Sequence, residues 1–416
     1  MRPVLTPKQM RVLDTEATTA GTPIEILIGR AGAAVARAAK RMMGGLYGRT
    51  VVVITGKGNN GADGRVTARL LADQGVRVHV IDAEHMPLRL PVSDLIIDAA
   101  FGTGFRGDWS PPATKGVPVL AVDIPSGIDG LTGLAAPDTW QATRTVTFVA
   151  LKPGLLLGAG RALCGEVELV DIGINLGMGN VDINEVERSD VSQWVPQRPF
   201  DSHKWKAALY AVAGSSGMMG AANLCSASAM RAGAGIVHVA SPGIVSDRST
   251  STEIVRRALP ALGWSHEVLD DLSRFKAIVI GPGLGRDEGT VSEARRIIAG
   301  AHIPMVIDGD GLFAVAWGGE GARDIVRSRA AGTVLTPHDG EYTTLLGYAP
   351  SHDRITSARR LASDTNCVCL LKGTTTVVAE PSGEVLMVAN GDQRLATAGT
   401  GDVLAGIIGA LLAQGV

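Results

Sequence analysis

Two successive α/β domains, each built on a parallel sheet, are what this sequence predicts, and three observations predict them. Short β-rich apolar runs alternate with helical stretches along both halves, the pattern of a sheet covered on both faces. Turns rich in glycine, asparagine and aspartate directly follow several of those runs, where open α/β sheets bind ligands. The chain has 416 residues, which at about 150 residues per domain suggests two or three domains.

In the first half the runs are Thr50–Thr55, Val76–Ile81, Leu95–Asp98, Val119–Val122 and Thr145–Val149. Before them, Thr6–Arg41 reads as amphipathic, alanine-rich helices, and a further helix is expected from about Arg65 to Gln74. Residues 178–203 are more polar and end on Pro196 and Pro199, so they read as the linker, with domains at 1–198 and 199–416. The pattern then restarts with Ala207–Ala213, Gly235–Ala240, Ala277–Ile280, Met305–Ile307, Thr333–Leu335 and Cys367–Leu371.

Composition excludes several classes. Hydrophobic residues make up 45% and charged residues 19%, with 53 glycines and no collagen period, so disorder and a fibre are poor fits. A formal net charge of −2 with no basic stripe argues against nucleic acid as the main partner. The N-terminus lacks a signal-peptide core, and the longest uncharged run, Ala207–Met230, carries Gly214–Gly217 and several serines, unlike a membrane helix. Four scattered cysteines read as small core residues in a reducing cytoplasm.

Three strand ends in the first half carry candidate chemistry. Gly56–Gly64 (GKGNNGADG) lies between a strand and a helix, where backbone N–H groups hold anions such as phosphate. It matches neither the dinucleotide fingerprint nor the Walker motif. Asp98–Gly104 (DAAFGTG) and Asp123–Gly127 (DIPSG) end two further strands, and their carboxylate, amide and hydroxyl oxygens also suit a hard cation. Each aspartate taken singly could be no more than a helix cap.

Together with Lys152-Pro153-Gly154, these motifs resemble the NAD(P)H-hydrate epimerase domain over roughly residues 6–175. The resemblance implies a Rossmann-like domain that interconverts the C6 epimers of hydrated NADH and NADPH. It implies that Asn59, Asn60, Gly61, Ala62 and Asp63 meet the dinucleotide phosphates. Gly102, Thr103, Gly104, Phe105, Arg106, Gly107 and Asp108 would line the substrate. Potassium would be held by Asn60, Asp98 and Ser126, while Asp123, also in contact with substrate, and Lys152 match the acid/base positions. Ala62 stands where the family usually has glycine.

In the second half, Gly399–Asp402 (GTGD) opens an apolar helix. Its N–H groups form an anion hole, and an aspartate in the first turn can be the base in phosphoryl transfer. Gly281–Gly285, Thr336–Glu341 (TPHDGE) and Leu371–Thr376 (LKGTTT) end other strands with polar or glycine-rich pieces. From about residue 200 to the end, the set resembles the ribokinase-like superfamily and its ADP/ATP-dependent NAD(P)H-hydrate dehydratase branch. By that resemblance Ala222, Gly283, His338 and Asp402 contact the hydrate, with Asp402 the base. Lys372, Gly373, Thr374, Thr375, Thr376 and Gly401 would contact the nucleotide, ADP with Mg2+. Asp308 and Asp310 sit in an Asp-Gly-Asp-Gly run where the family more often has Asp-Ala-Asp-Ala.

The expected protein is therefore a bifunctional metabolite-repair enzyme: an isomerase followed by an ADP-dependent lyase, acting on small molecules as a cytoplasmic homo-oligomer. The alternative is a ribokinase-like small-molecule kinase with a non-catalytic nucleotide-binding or interaction domain in front. That alternative leaves the first half unexplained. Related proteins continue beyond the helix begun near Asp402, so the chain reads either as truncated at the C-terminus or as a short homologue.

Overall fold

A computed structural model describes residues 1–177, 181–244 and 253–416. It divides into two compact units, Arg2–Glu185 and Val186–Val416, with Met1 grouped with the second. Part of the expected linker, 178–180, lies outside the described residues. The rest of it is partly ordered into the strand Ile183–Glu185 and the helix Arg188–Trp194.

The first unit is built on a six-stranded, all-parallel sheet. From one edge its strands are Arg77–Asp82, Thr50–Thr55, Leu95–Ala99, Val119–Val122, Arg144–Phe148 and Glu166–Val170. Numbered along the chain, that order is 2-1-3-4-5-6. The central strands are buried on both faces, which is why they read as unbroken apolar runs rather than alternating ones. The last strand went unread because Glu166 and Glu168 interrupt its apolar pattern. Helices Pro7–Thr19 and Ile24–Met43 precede the sheet, and Thr6 opens the first with a capping box to Gln9.

The helix expected from Arg65 begins instead at Asn59 and runs to Ala72. The glycines of GNNGADG are thus not a loop but the tight face of a helix start. A Cβ on Gly61 would lie 1.9 Å from the Gly56 carbonyl oxygen, and one on Gly64 would lie 2.5 Å from the Ala99 Cβ. Packing overrides the poor helix propensity of glycine and asparagine here. It presses the N-terminus of the helix against the ends of the first and third strands.

The second unit orders its strands Val385–Val388, Thr376–Ala379, Val368–Leu371, Thr333–Leu335, Met305–Ile307, Ala277–Ile280, Ala208–Val212, Ile236–Pro242 and Val255–Leu259. The run from Val368–Leu371 to the Val255–Leu259 edge is parallel, and the first two strands add antiparallel ladders. LKGTTT therefore turns a hairpin instead of leading into a helix. Helix Thr400–Ala413 lies against Met219–Arg231 through glycine: a Cβ on Gly406 would be 2.0 Å from the Cys225 carbonyl oxygen. All four cysteines are buried free thiols. Among the described residues, no helix is long and apolar enough to cross a membrane.

Candidate functional site

Strand order decides where the first site forms. The chain leaves strand 1 in one direction to strand 2 and returns on its other side as strand 3, so the loops after strands 1 and 3 part and leave a crevice. That crevice holds a cavity of about 630 Å3, lined by Gly56, Asn59, Asn60 and Asp63 from one strand end and Ala100 to Arg106 from the other. Asp123, Lys152 and the helix residues Met10 and Asp14 complete its wall. Phe101 and Phe105 stand 5.4 Å apart, ring to ring, on one side.

Lys152 carries the buried charge of this crevice. It is 1% exposed. Its ammonium donates to Asp123 Oδ1 at 2.5 Å, Thr147 Oγ1 at 2.8 Å and the Phe148 carbonyl at 3.0 Å. Thr147 also donates to Asp123 Oδ1, at 3.1 Å. Asp123 sits just past a strand end at φ 68°, a left-handed conformation that costs roughly 1 kcal/mol or more for a residue other than glycine. Its second oxygen, Oδ2, is 3.6 Å from where a Cβ on Gly102 would stand, and Asn60 Cβ is 3.5 Å from the same point. The expected Asn60, Gly102 and Asp123 are thus brought together.

Asp98 is fully buried at the end of its strand. It accepts from the Ser126 N–H at 2.8 Å and the Ser126 hydroxyl at 2.5 Å. Burial pushes its carboxyl up and the Ser126 bonds pull it down, with a net rise. Nearby on the cavity wall, both side-chain polar atoms of Asn60 are buried without a hydrogen-bond partner. An orphaned amide oxygen and a carboxylate served only by neutral donors form a set of hard oxygens that fits a potassium ion.

Other expected residues fall elsewhere. Gly107 and Asp108 are exposed and lie outside the cavity lining, whereas Arg106 stays in it, paired with Asp129 at 3.3 Å. Gly61 and Ala62 likewise lie outside the lining, Gly61 being buried against Gly56.

The second site forms at the ends of the parallel strands of the other unit. Lys372, at the end of its strand, donates to Asp308 Oδ1 at 3.0 Å and lies 3.5 Å from Glu341 Oε2. Thr336 donates to the same Asp308 oxygen at 2.7 Å. A Cβ on Gly401 would be 3.5 Å from Lys372 Nζ and 3.7 Å from Asp308 Oδ2, so the start of helix Thr400–Ala413 stands beside this pair. Asp402 is in the first turn of that helix, and burial together with Asp308 raises its carboxyl above the usual range. The Gly399 that caps the helix has φ 90°, a conformation glycine supplies at little cost.

His338 accepts from the N–H groups of Gly340 and Glu341 through Nδ1, and its Nε2 lies 3.6 Å from Glu341 Oε1. Lys372, Gly373 and Thr374 are accessible, whereas Thr375 is buried. Ala222 is entirely buried, where its Cβ would stand 2.8 Å from a Cβ on Gly214. Gly283 holds φ 60° against Ala221 and Met218. Sequence reasoning missed Arg354, which ties Asp339 at 2.9 Å to the Lys372 carbonyl at 2.7 Å and so braces the two loops. It also missed Asp14, which no motif marks.

Residues 209–416 match the family described as NAD(P)H-hydrate dehydratase, and residues 24–91 and 81–154 match the YjeF-related protein N-terminus. The chain is 36% identical over 400 residues to a bifunctional NAD(P)H-hydrate repair enzyme of Mycobacterium tuberculosis, covering 90% of this chain and 80% of that one. It is 33% identical over 481 residues to the enzyme of that name from Salinibacter ruber, covering 100% and 88%. Among solved structures, it resembles an ADP/ATP-dependent NAD(P)H-hydrate dehydratase from Bacillus subtilis, co-crystallised with ATP and Mg2+. There the identity is 27%, the TM-score 0.44, and the coverage 54% of this chain and 83% of the other.

Proposed function

The chain belongs to the bifunctional NAD(P)H-hydrate repair enzymes, which join an epimerase to an ADP-dependent dehydratase, and from that premise we propose which residues perform each half-reaction. The unit Arg2–Glu185 epimerises C6 of hydrated NADH and NADPH. The unit Val186–Val416 dehydrates the S epimer, giving NAD(P)H, AMP and phosphate. The observation that carries the reading is the Lys152–Asp123 pair set in the wall of the strand-end cavity.

In the epimerase, the N–H groups at the start of helix Asn59–Ala72 face the dinucleotide phosphates, as the positive end of a helix dipole should. Gly102 to Phe105 line the nicotinamide side. Asp123 and Lys152 supply the acid–base positions at C6, the ammonium orienting the carboxylate. Asn60, Asp98 and Ser126 would hold potassium, whose charge offsets that of the bound phosphates.

In the dehydratase, Asp402 takes the proton of the C6 hydroxyl, whose oxygen attacks the terminal phosphorus of ADP as AMP leaves. The backbone around Gly401 and the Lys372 ammonium offset the negative charge on the transferred group. Phosphate then departs from C6, pushed by the ring nitrogen lone pair, and loss of a C5 proton restores the ring. Asp308 fixes Lys372 for this task, and His338 meets the hydrate. Among the described residues, no three His, Cys, Asp or Glu side chains group as a metal site. Magnesium therefore belongs to the nucleotide's phosphates in this reading.

Cytoplasmic location is supported by the four free thiols, and self-association by the half-buried apolar side chains along Thr400–Ala413. The test follows reduced-nicotinamide absorbance after mixing protein, S-hydrate and ADP, then R-hydrate and ADP. Rapid NADH from S and a slower, enzyme-dependent rise from R are expected. No ADP-dependent NADH from S at high enzyme would remove the dehydratase assignment.

A further inference from the structure

The strand-end cavity contains more acid than its assigned chemistry uses. Four ionisable side chains of the cavity wall, Asp14, Asp63, Asp123 and Lys152, come from four different places in the unit. Asp14 lies on helix Pro7–Thr19, Asp63 in the second turn of helix Asn59–Ala72, Asp123 at a strand end and Lys152 before Pro153. One ammonium thus stands among three carboxyls.

Epimerisation at C6 begins with loss of the hydroxyl, and hydroxide leaves only when its oxygen is protonated. Lys152 is poorly placed to supply that proton. An ammonium has three N–H donors, and all three are engaged, with Asp123, Thr147 and the Phe148 carbonyl. Lys152 is also 1% exposed, so little of it reaches the cavity it borders. Asp123 Oδ1 accepts from both Lys152 and Thr147, so that carboxylate is placed as an acceptor. The site as assigned has a base and a positive charge but no acid.

Asp63 fits the missing role. It is buried at 7% exposure on the cavity wall, and among the described residues its carboxyl forms no hydrogen bond or ion pair, the Lys152 charge acting on it only at longer range. Asp14 faces the same space, also without a side-chain partner. The other charges on the wall are Arg11, Lys57 paired with Glu84 at 2.7 Å, and Arg106 paired with Asp129.

We propose that Asp63, seconded by Asp14, is the proton donor of the epimerase site, and that Lys152 serves only to hold Asp123. The carboxylic acid of Asp63 gives its proton to the C6 hydroxyl oxygen. The C6–O bond breaks and its electron pair leaves with water, while the ring nitrogen lone pair forms the N1=C6 bond. The cation so formed lies beside Asp123 and the newly ionised Asp63. Water adds to the other face of C6, the electron pair returns to nitrogen, and the proton released goes back to the carboxylates. No oxidant or co-reactant is consumed. Consistent with the role, burial first and then Asp123 and Asp14 push the Asp63 carboxyl up to about 8, and burial raises Asp14 too.

This inference rests on the epimerase reading, and the experiment separates the two. R-to-S conversion is followed by chromatography of the epimers from about pH 6 to about 9.5, with the uncatalysed rate subtracted. The wild type should slow as pH rises past about 8, where Asp63 loses its proton. Asp63→Asn should cut the rate about 100-fold or more and abolish that alkaline fall. Asp63→Glu should restore part of both. Asp14→Asn should move the fall to lower pH, because a negative neighbour of Asp63 is gone. A merely structural residue would not shift that limb.

Folding is checked by melting. The folded protein keeps the Asp63 proton between about pH 4 and 8 where the unfolded chain has lost it, so the carboxyl costs stability as pH rises through that window. Asp63→Asn should therefore melt no lower than wild type near pH 8; if it does, the glutamate and Asp14 variants decide. A wild type that converts the epimers with a flat profile, or an Asp63→Asn enzyme at wild-type rate, overturns the proposal and leaves the epimerase intact. A wild type that never exceeds the uncatalysed rate overturns the epimerase reading itself.

Discussion

The two strand-end crevices use the same pieces to opposite effect. In the first unit the ammonium is sealed: Lys152 is buried, its donors are filled, and Asp123 is fixed by both Lys152 and Thr147. In the second, Lys372 is one-fifth exposed, braced from one side by Asp308 and reachable from the other. Asp402 stands half-buried at a helix start. A reaction that only moves a proton and a water is served by an ammonium fixed in the wall of its cavity. One that takes in a nucleotide and expels phosphate needs its cation on the surface of the crevice. The same Lys–Asp pairing is a strut in one case and a ligand clamp in the other.

Removing the base of the open site should have the largest effect. Asp402→Asn keeps the shape and the helix start but takes away the acceptor for the C6 hydroxyl proton. Turnover of S-hydrate with ADP should fall about 10³-fold, while R-to-S conversion by the same chain is unchanged. Loss of both activities together would mean that the units are not functionally separable.

Breaking the strut should come next. Lys152→Met fills the volume but leaves Asp123 beside a buried apolar stem with no counter-charge. The first unit should lose about 3 kcal/mol, the usual cost of breaking a buried ion pair from one side, and epimerisation should drop about 10²-fold. Lys372→Met in the open site leaves the buried Asp308 with Thr336 as its donor and should also cost about 3 kcal/mol in stability. Its loss should appear in the KM for ADP. Differential scanning measures both stability losses, and the distinction between strut and clamp lies in activity: an ADP KM left unchanged by Lys372→Met would end it.

Much of this was legible in the sequence, and the failures have physical reasons. Ala277–Ile280, Met305–Ile307 and Thr333–Leu335 fall where expected because strands buried on both faces must be apolar throughout. The hairpin Thr376–Val388 was not read, although Pro381-Ser382-Gly383 marks its turn, because its strands are partly exposed. Residues 59–64 read as a loop because two glycines and two asparagines oppose a helix, and only the Gly56 and Ala99 contacts explain why one forms. Asp63 was therefore read as part of a phosphate loop; in the helix it is a buried acid. Asp14 sits on an ordinary amphipathic helix, and no local pattern could announce which cavity that helix would border.

The helix starts sharpen the comparison at smaller scale. Gly61→Ala would drive a Cβ to 1.9 Å from the Gly56 carbonyl oxygen, backbone against backbone, so the Asn59–Ala72 helix start must move. Epimerisation should be lost along with about 3 kcal/mol of stability, as for strong overpacking.

Gly401→Ala meets only ordinary contacts, 3.5 Å to Lys372 Nζ and 3.7 Å to Asp308 Oδ2, within the helix Thr400–Ala413. Alanine is the better helix former, so the second unit should gain up to about 1 kcal/mol. The same methyl stands where a phosphate would approach the Lys372 ammonium, and the KM for ADP should rise about tenfold, or about 1.4 kcal/mol. The two numbers have opposite signs for one atom added. If Gly401→Ala stabilises the chain and leaves the ADP dependence untouched, glycine is there by accident. The nucleotide then binds away from the Lys372–Asp308 pair.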